Sequence, residues 1–213
     1  MRTLYANEIE CRVGNNLKKG VSLLLYKDAR VDMRILDETY GPMNWERNHE
    51  VVNGNLFCTI RVWDKEKSCW ISKQDVGTES FTEKEKGEAS DSFKRAGFNW
   101  GIGRELYTAP FIWIAISPEE LDEKERLKTK FVVREIDYND NREISYLVIT
   151  DTKGNPRFTY GKKKSITLED AISEMRQCAS YSEVVECWKK HSQFNKEQSF
   201  ITACSEQGKK YKQ

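Results

Sequence analysis

Apolar residues change period along this chain, and each change marks an element. Met33, Leu36 and Tyr40 recur at helical spacing over residues 32–40 and stop at Gly41-Pro42, a helix-ending pair. From Trp45 the period falls to two. Trp45–Val52 leads to Asn53-Gly54, a dipeptide suited to a tight hairpin turn. Over residues 56–63, Leu56, Cys58, Ile60 and Val62 alternate with Phe57, Thr59, Arg61 and Trp63, which predicts a strand with two distinct faces. A polar turn at residues 64–67 and the segment Cys69–Val76 complete a three-stranded antiparallel meander. Thr82 and Glu85 then fit a capping box, and Ala89, Phe93 and Ala96 form the narrow apolar stripe of a helix ending near Gly97.

The flanks are less regular. Residues 12–20, from Arg12 to Gly20, read as a basic, glycine-containing loop before the apolar run 23–26. After the apolar residues 111–116, Ser117-Pro118-Glu119-Glu120 has the form of an N-cap with proline in the first helical position. Residues 131–136, 146–150 and 158–160 read as strands, the last preceded by a Gly154-Asn155-Pro156 turn. A capped helix is expected from Thr167 and a second from Ser182 to about Cys204. The change of character near residue 125 predicts a core over 1–125 and a small α+β module over 126–213, with two or three strands followed by two helices. The fold class is α+β: a three-stranded antiparallel β-meander packed on a long helix, with that C-terminal appendage.

Composition narrows the class. With 32% charged and 11% aromatic residues in 213, the chain reads as a soluble globular protein. No apolar run is long enough to span a bilayer, and the N-terminus turns acidic without forming a secretory signal, so a cytoplasmic protein of a bacterial host, with no membrane partner, is expected. The six cysteines form no C-x-x-C pair and the only histidines, His49 and His191, are read as not near them at ligand spacing, so free thiols and no metal site are expected. Net charge is only +1, from 35 basic and 34 acidic residues. Any nucleic-acid site must therefore be a local groove with its acids turned elsewhere.

Common catalytic motifs are missing: there is no phosphate loop and no nucleophile elbow. Gly101-Ile102-Gly103 follows a helix and lacks the third glycine of a dinucleotide fingerprint, so it reads as a helix-ending turn. Asp75 and Glu79 could contribute to a metal-dependent nuclease, an alternative that rests only on scattered acids. On the helix, Gly87, Ser90, Asp91 and Lys94 share one side, and Arg95 lies about 100° further round. Lys94 and Arg95 could grip phosphate oxygens, or could serve the helix dipole and pair with Glu88 and Asp91. On the meander, Trp45, Arg47, Phe57, Arg61, Trp63 and Lys73 interleave aromatic and basic side chains. That pattern suits stacking on single-stranded bases and equally suits a sheet's core.

Asp75-Val76-Gly77, the basic residues Lys84 to Lys86, Ala89, Phe93-Lys94-Arg95-Ala96 and Trp100-Gly101 follow one another in an order that resembles the core signature of single-strand annealing proteins of the Rad-fifty-two superfamily. Upstream, Tyr26, Glu38, Tyr40-Gly41 and Trp45 are similar to the same family's helix and first strand, and the likeness over residues 9–116 is to its phage and prophage branch. The resemblance implies a β-β-β-α core whose protomers join into a ring or helical arc. Single-stranded DNA would lie in a basic groove and anneal to its complement without ATP, metal or other cofactor. It implies DNA contacts from Lys94 and Arg95, from Lys84 and Lys86 at the start of the helix, and from Arg12 and Tyr26. Phe98 stands where eukaryotic members carry another arginine, a role Arg104 or the C-terminal lysines would then fill. No catalytic residue is implied. A host or phage single-strand-binding protein is a further expected partner, through an adaptor role of the C-terminal helices.

Overall fold

The computed structural model describes residues 1–17, 19–78, 84–124 and 126–211. The chain forms two compact units, Met1–Lys163 and Lys164–Gln213. The division falls at residue 163 rather than near 125, because the strands beyond 125 hydrogen-bond into the sheet that the N-terminus begins.

In the first unit β1 (Ile9–Leu17) and β2 (Gly20–Lys27) form an antiparallel hairpin. Here the expected loop over residues 12–20 is corrected to strand. Cys11 and Val13 pair with Leu25 and Leu23, so β1 has its own alternation, masked in the sequence by the polar outer residues and by a register shift between Val13 and Asn16. Outer-face Gly14 belongs to the strand: a Cβ there would meet Ser22 Oγ at 3.1 Å and Leu24 Cγ at 3.3 Å.

α1 (Ala29–Tyr40) follows at once, capped by Asp28, whose carboxylate accepts from the Arg30 amide, and closed by Gly41 at φ 86°. It starts three residues before the expected Asp32 because Asp28, not a later residue, is the cap. β3 (Trp45–Val52), β4 (Asn55–Asp64) and β5 (Cys69–Val76) form a separate three-stranded antiparallel sheet, with Asn53 and Gly54 both at positive φ in the first turn. α2 (Lys84–Asn99) lies against β4 and β5. Phe93 and Ala96 are fully buried in the same core as Cys58, Ile60 and Val62, and the Phe93 side chain alone contributes about 2–3 kcal/mol by leaving water. The expected capping box involves Thr82, which lies outside the described residues.

The larger sheet was not anticipated. β6 (Ile112–Ala115) pairs with β2, β7 (Phe131–Tyr138) pairs with β1, and β8 (Ile144–Asp151) and β9 (Pro156–Gly161) complete the order β6-β2-β1-β7-β8-β9. Its two outer strands curl back toward each other: Arg157 on β9 donates to Ala115 O at 2.9 Å and to Glu120 Oε1 at 2.7 Å. The result is a nearly closed, barrel-like wall whose inner side is Val21, Leu23, Ile112, Ile114, Phe131, Leu147 and Ile149. The helix expected after Ser117 is a single 3-10 turn, Pro118–Glu120, because the chain is drawn off at once into a bridge between Leu121 and Leu127.

The second unit is helical over its described residues: α3 (Leu168–Gln177), α4 (Tyr181–Lys190) and α5 (Gln198–Tyr211). The strands expected in this module belong to the first unit. The single helix expected from Ser182 is broken by a 3-10 turn at Ser192–Phe194. That reversal lets Trp188 and Phe194, on either side of it, both reach Phe200, with the Trp188 ring stacked at 5.5 Å. The reading that neither histidine stands near a cysteine at ligand spacing is corrected here. Cys187 and His191 stand four residues apart, one helical turn, and both are buried beside Glu174.

Candidate nucleic-acid interface

The C-terminal half of α2 is where the expected cations gather, and its surroundings decide what they can do. Arg95 is exposed and donates from Nε to Asp75 Oδ1 at 3.3 Å; Asn99, one turn on, donates to Asp75 Oδ2 at 3.2 Å. Lys73 donates to Asn99 O at 2.9 Å and lies over the Trp100 ring. Arg104 donates to Phe98 O at 2.8 Å and to Asn99 O at 3.0 Å, with its guanidinium over the Phe98 ring. Lys73 and Arg104 thus satisfy the terminal carbonyls of α2, where a cation also complements the helix dipole. The DNA role expected for Arg104 must compete with that capping duty. Asp75, with both oxygens engaged by α2, is no free metal ligand, and Glu79 lies outside the described residues.

Lys94 faces the other way, toward β2 and α1. It is half-buried, and its charge favours the ionised forms of Asp28 and Asp32. Behind it Lys27 and Asp32 form a buried ion pair, Lys27 Nζ also lying 2.6 Å from Asp32 Oδ2. Two glycines make room for this pair. A Cβ at Gly97 would stand 2.6 Å from Asp32 Oδ1, and one at Gly103 would collide with Lys27 Cε. Burial drives both groups toward their neutral forms, raising the Asp32 carboxyl to about 6 and lowering Lys27, while their mutual attraction opposes it.

From Lys94 a charged strip runs over the outer face of the β1–β2 hairpin. Asp28, held down to about 2 chiefly by the Arg30 guanidinium, joins Lys94 to Arg30, whose side chain is 83% exposed. Glu10 acts on Arg30 and pairs with Arg12 at 2.9 Å, and the Arg12 guanidinium lies 4.7 Å above the Tyr26 ring. Leu24 and Trp113 share this face and are exposed, with the Trp113 ring lying over Gly20. Arg30 and Trp113 were missed in the sequence. Arg30 sits in an N-cap motif rather than a basic run, and Trp113 reads as core within residues 111–116.

The interleaved set on the meander is divided by the sheet. Trp45, Arg47 and Lys73 face α2, where Trp45 stacks on Phe93 at 6.3 Å and Arg47 covers the same ring at 4.7 Å. Phe57, Arg61 and Trp63 lie on the open face with Trp70, an aromatic the sequence reading passed over. There Arg61 pairs with Glu46 at 2.6 Å and lies over Trp70, which meets Trp63 edge-on at 5.6 Å. Lys86 is exposed on α2; the Lys84 side chain lies outside what the structure describes.

Arg12, Arg61 and Arg95 each hold a carboxylate at the surface, so phosphates would have to displace Glu10, Glu46 and Asp75. Such exposed pairs are worth about 0–1 kcal/mol, which phosphate can outbid.

No protein-family model matches this chain. It is 33% identical over 111 residues to the single-stranded DNA-binding protein DdrA of Deinococcus deserti, an alignment that takes in 47% of this chain and 54% of that protein. The chain therefore spans about half the length of the curated relative it matches. Among the described residues, no helix is long and apolar enough to cross a membrane.

Proposed function

We propose that this protein binds single-stranded DNA and anneals complementary strands as a homo-oligomer, without a nucleotide cofactor or covalent chemistry. The observation that carries the reading is the similarity to a single-stranded DNA-binding protein. The ordered Rad-fifty-two-like signature from Asp75 to Trp100 supplies the finer step to annealing. Lys94 and Arg95 sit on adjacent flanks of α2, Lys94 continuous with the Arg30, Arg12 and Tyr26 strip. Backbone neutralisation along such a strip, with Tyr26 and Trp113 available for stacking, would hold a strand extended with its bases free to pair.

The test is a fluorescence annealing assay on complementary oligonucleotides, with no nucleotide or metal added. Lys94→Ala and Arg95→Ala should each weaken single-strand binding several-fold and the double variant should slow annealing further. Asp75→Asn, which releases Arg95 from its carboxylate, should strengthen binding. Wild-type annealing by a folded Lys94→Ala/Arg95→Ala protein would overturn the assignment.

A further inference from the structure

The C-terminal unit sets ligand-type side chains from two helices against one another. Glu174 lies on α3, Cys178 at its C-cap, Cys187 on α4 and His191 at the C-cap of α4. One donor atom each from Glu174, Cys187 and His191 falls within 4.8 Å of the other two, and Cys178, outside that set, donates from Sγ to Glu174 O at 3.6 Å. Cys187 and His191 are buried. The His191 ring has no exposed surface: Nε2 meets Glu174 Oε2 at 2.8 Å, while Nδ1 has no partner. A buried polar atom left without a partner costs about 1–3 kcal/mol. A cation held between Nε2 and Glu174 Oε2 would take the place of the proton these two donor atoms now share. Lys190 occupies the other oxygen, Glu174 Oε1, at 2.6 Å, so Oε2 is the oxygen that faces the cluster.

We propose that Cys187, His191 and Glu174, with the neighbouring Cys178 thiol, bind one zinc-class divalent cation that ties α3 to α4. Thiolate and imidazole together select zinc and its cobalt surrogate over calcium or magnesium, which take oxygen ligands. Cys178 would supply the fourth donor of a tetrahedral set. The cation would fasten two short helices whose packing otherwise depends on a small core of Ala171, Met175, Val184, Phe200 and Ala203.

The full chain, stripped with chelator and kept under reductant, is titrated with Zn²⁺ and separately with Co²⁺. One equivalent should bind, cobalt should develop a thiolate-to-metal charge-transfer band with the intense visible bands of a tetrahedral site, and zinc should raise the melting temperature. Cys187→Ser should abolish the charge-transfer band, while Cys69→Ser, an exposed thiol in the other unit, should leave it intact. Because Cys187 is buried and its variant can misfold, Glu174→Gln, half-buried, provides the second arm. It should remain folded by circular dichroism and bind zinc at least about 10-fold more weakly. The proposal fails if no stoichiometric cation binds, if the cobalt spectrum lacks the thiolate band, or if folded Glu174→Gln binds zinc as the wild type does.

Discussion

At the scale of single residues the Lys27–Asp32 pair governs how tightly α2 can approach α1 and β2. A buried ion pair adds little net stability, yet removing one partner strands a charge. Asp32→Ala should therefore cost about 3–5 kcal/mol in denaturant unfolding, whereas Lys27→Met/Asp32→Leu should recover most of that loss. Gly97→Ala should cost about 1–3 kcal/mol by pushing a methyl into Asp32. The pH response has a definite sign. Between the ordinary Asp value of 3.8 and about 6 the native chain holds a proton on Asp32 that the unfolded chain has released, so this group's contribution to stability falls as pH rises through that window. The places of Lys94 and Arg95 on α2 were legible in the sequence. Their partners were not: Asp75 and Asp28 reach them across elements, through folding rather than spacing.

Among elements, the sheet closure is held at one corner by Arg157, whose guanidinium joins β9 to Ala115 of β6 and to Glu120 in the turn that follows. Arg157 holds the Glu120 carboxyl down to about 2, well below its ordinary 4.5. Its stabilising share is present above that ordinary value and is lost as pH falls toward about 2. Glu120→Gln should reduce stability at neutral pH and flatten the acid limb of a stability-versus-pH curve, as read by thermal melts. A variant that keeps the wild-type acid dependence would remove Glu120 from that role. The meander, its Asn53-Gly54 turn and the stripe on α2 could be read locally because period two and period 3.6 are both visible within a dozen residues. The β1–β2 hairpin could not. Its outer face carries arginine, asparagine and glycine, and its register shifts midway, so the alternation never runs long enough to be seen.

For the whole molecule, the proposed DNA binding is compatible with a net charge of +1 because Arg12, Arg61 and Arg95 each hold a displaceable carboxylate. Binding should accordingly weaken steeply as salt is raised, and a salt-insensitive affinity would argue against phosphate contacts. Within the small sheet β3 and β5 keep one edge each without a partner strand among the described residues, and Val51 and Val52 on β3 are exposed beside that edge. Val51→Lys/Val52→Lys should lower the mass seen by light scattering if β3 joins protomers. Unchanged mass would place the contact elsewhere. The six-stranded order was beyond any local pattern, since strand pairing between Glu10 and Val132 joins segments more than half the chain apart.

That pairing has a consequence for how the protein is made. On the ribosome β1 and β2 emerge early, but the strand that covers β1 is not available until residue 138 has left the tunnel, and the sheet cannot curl shut until Arg157 follows. The first unit should therefore fold late and cooperatively, its rate limited by closing a long loop. A nascent or truncated chain ending near residue 125 would expose the inner face of an unfinished wall, Val21, Leu23, Ile112 and Ile114 among it.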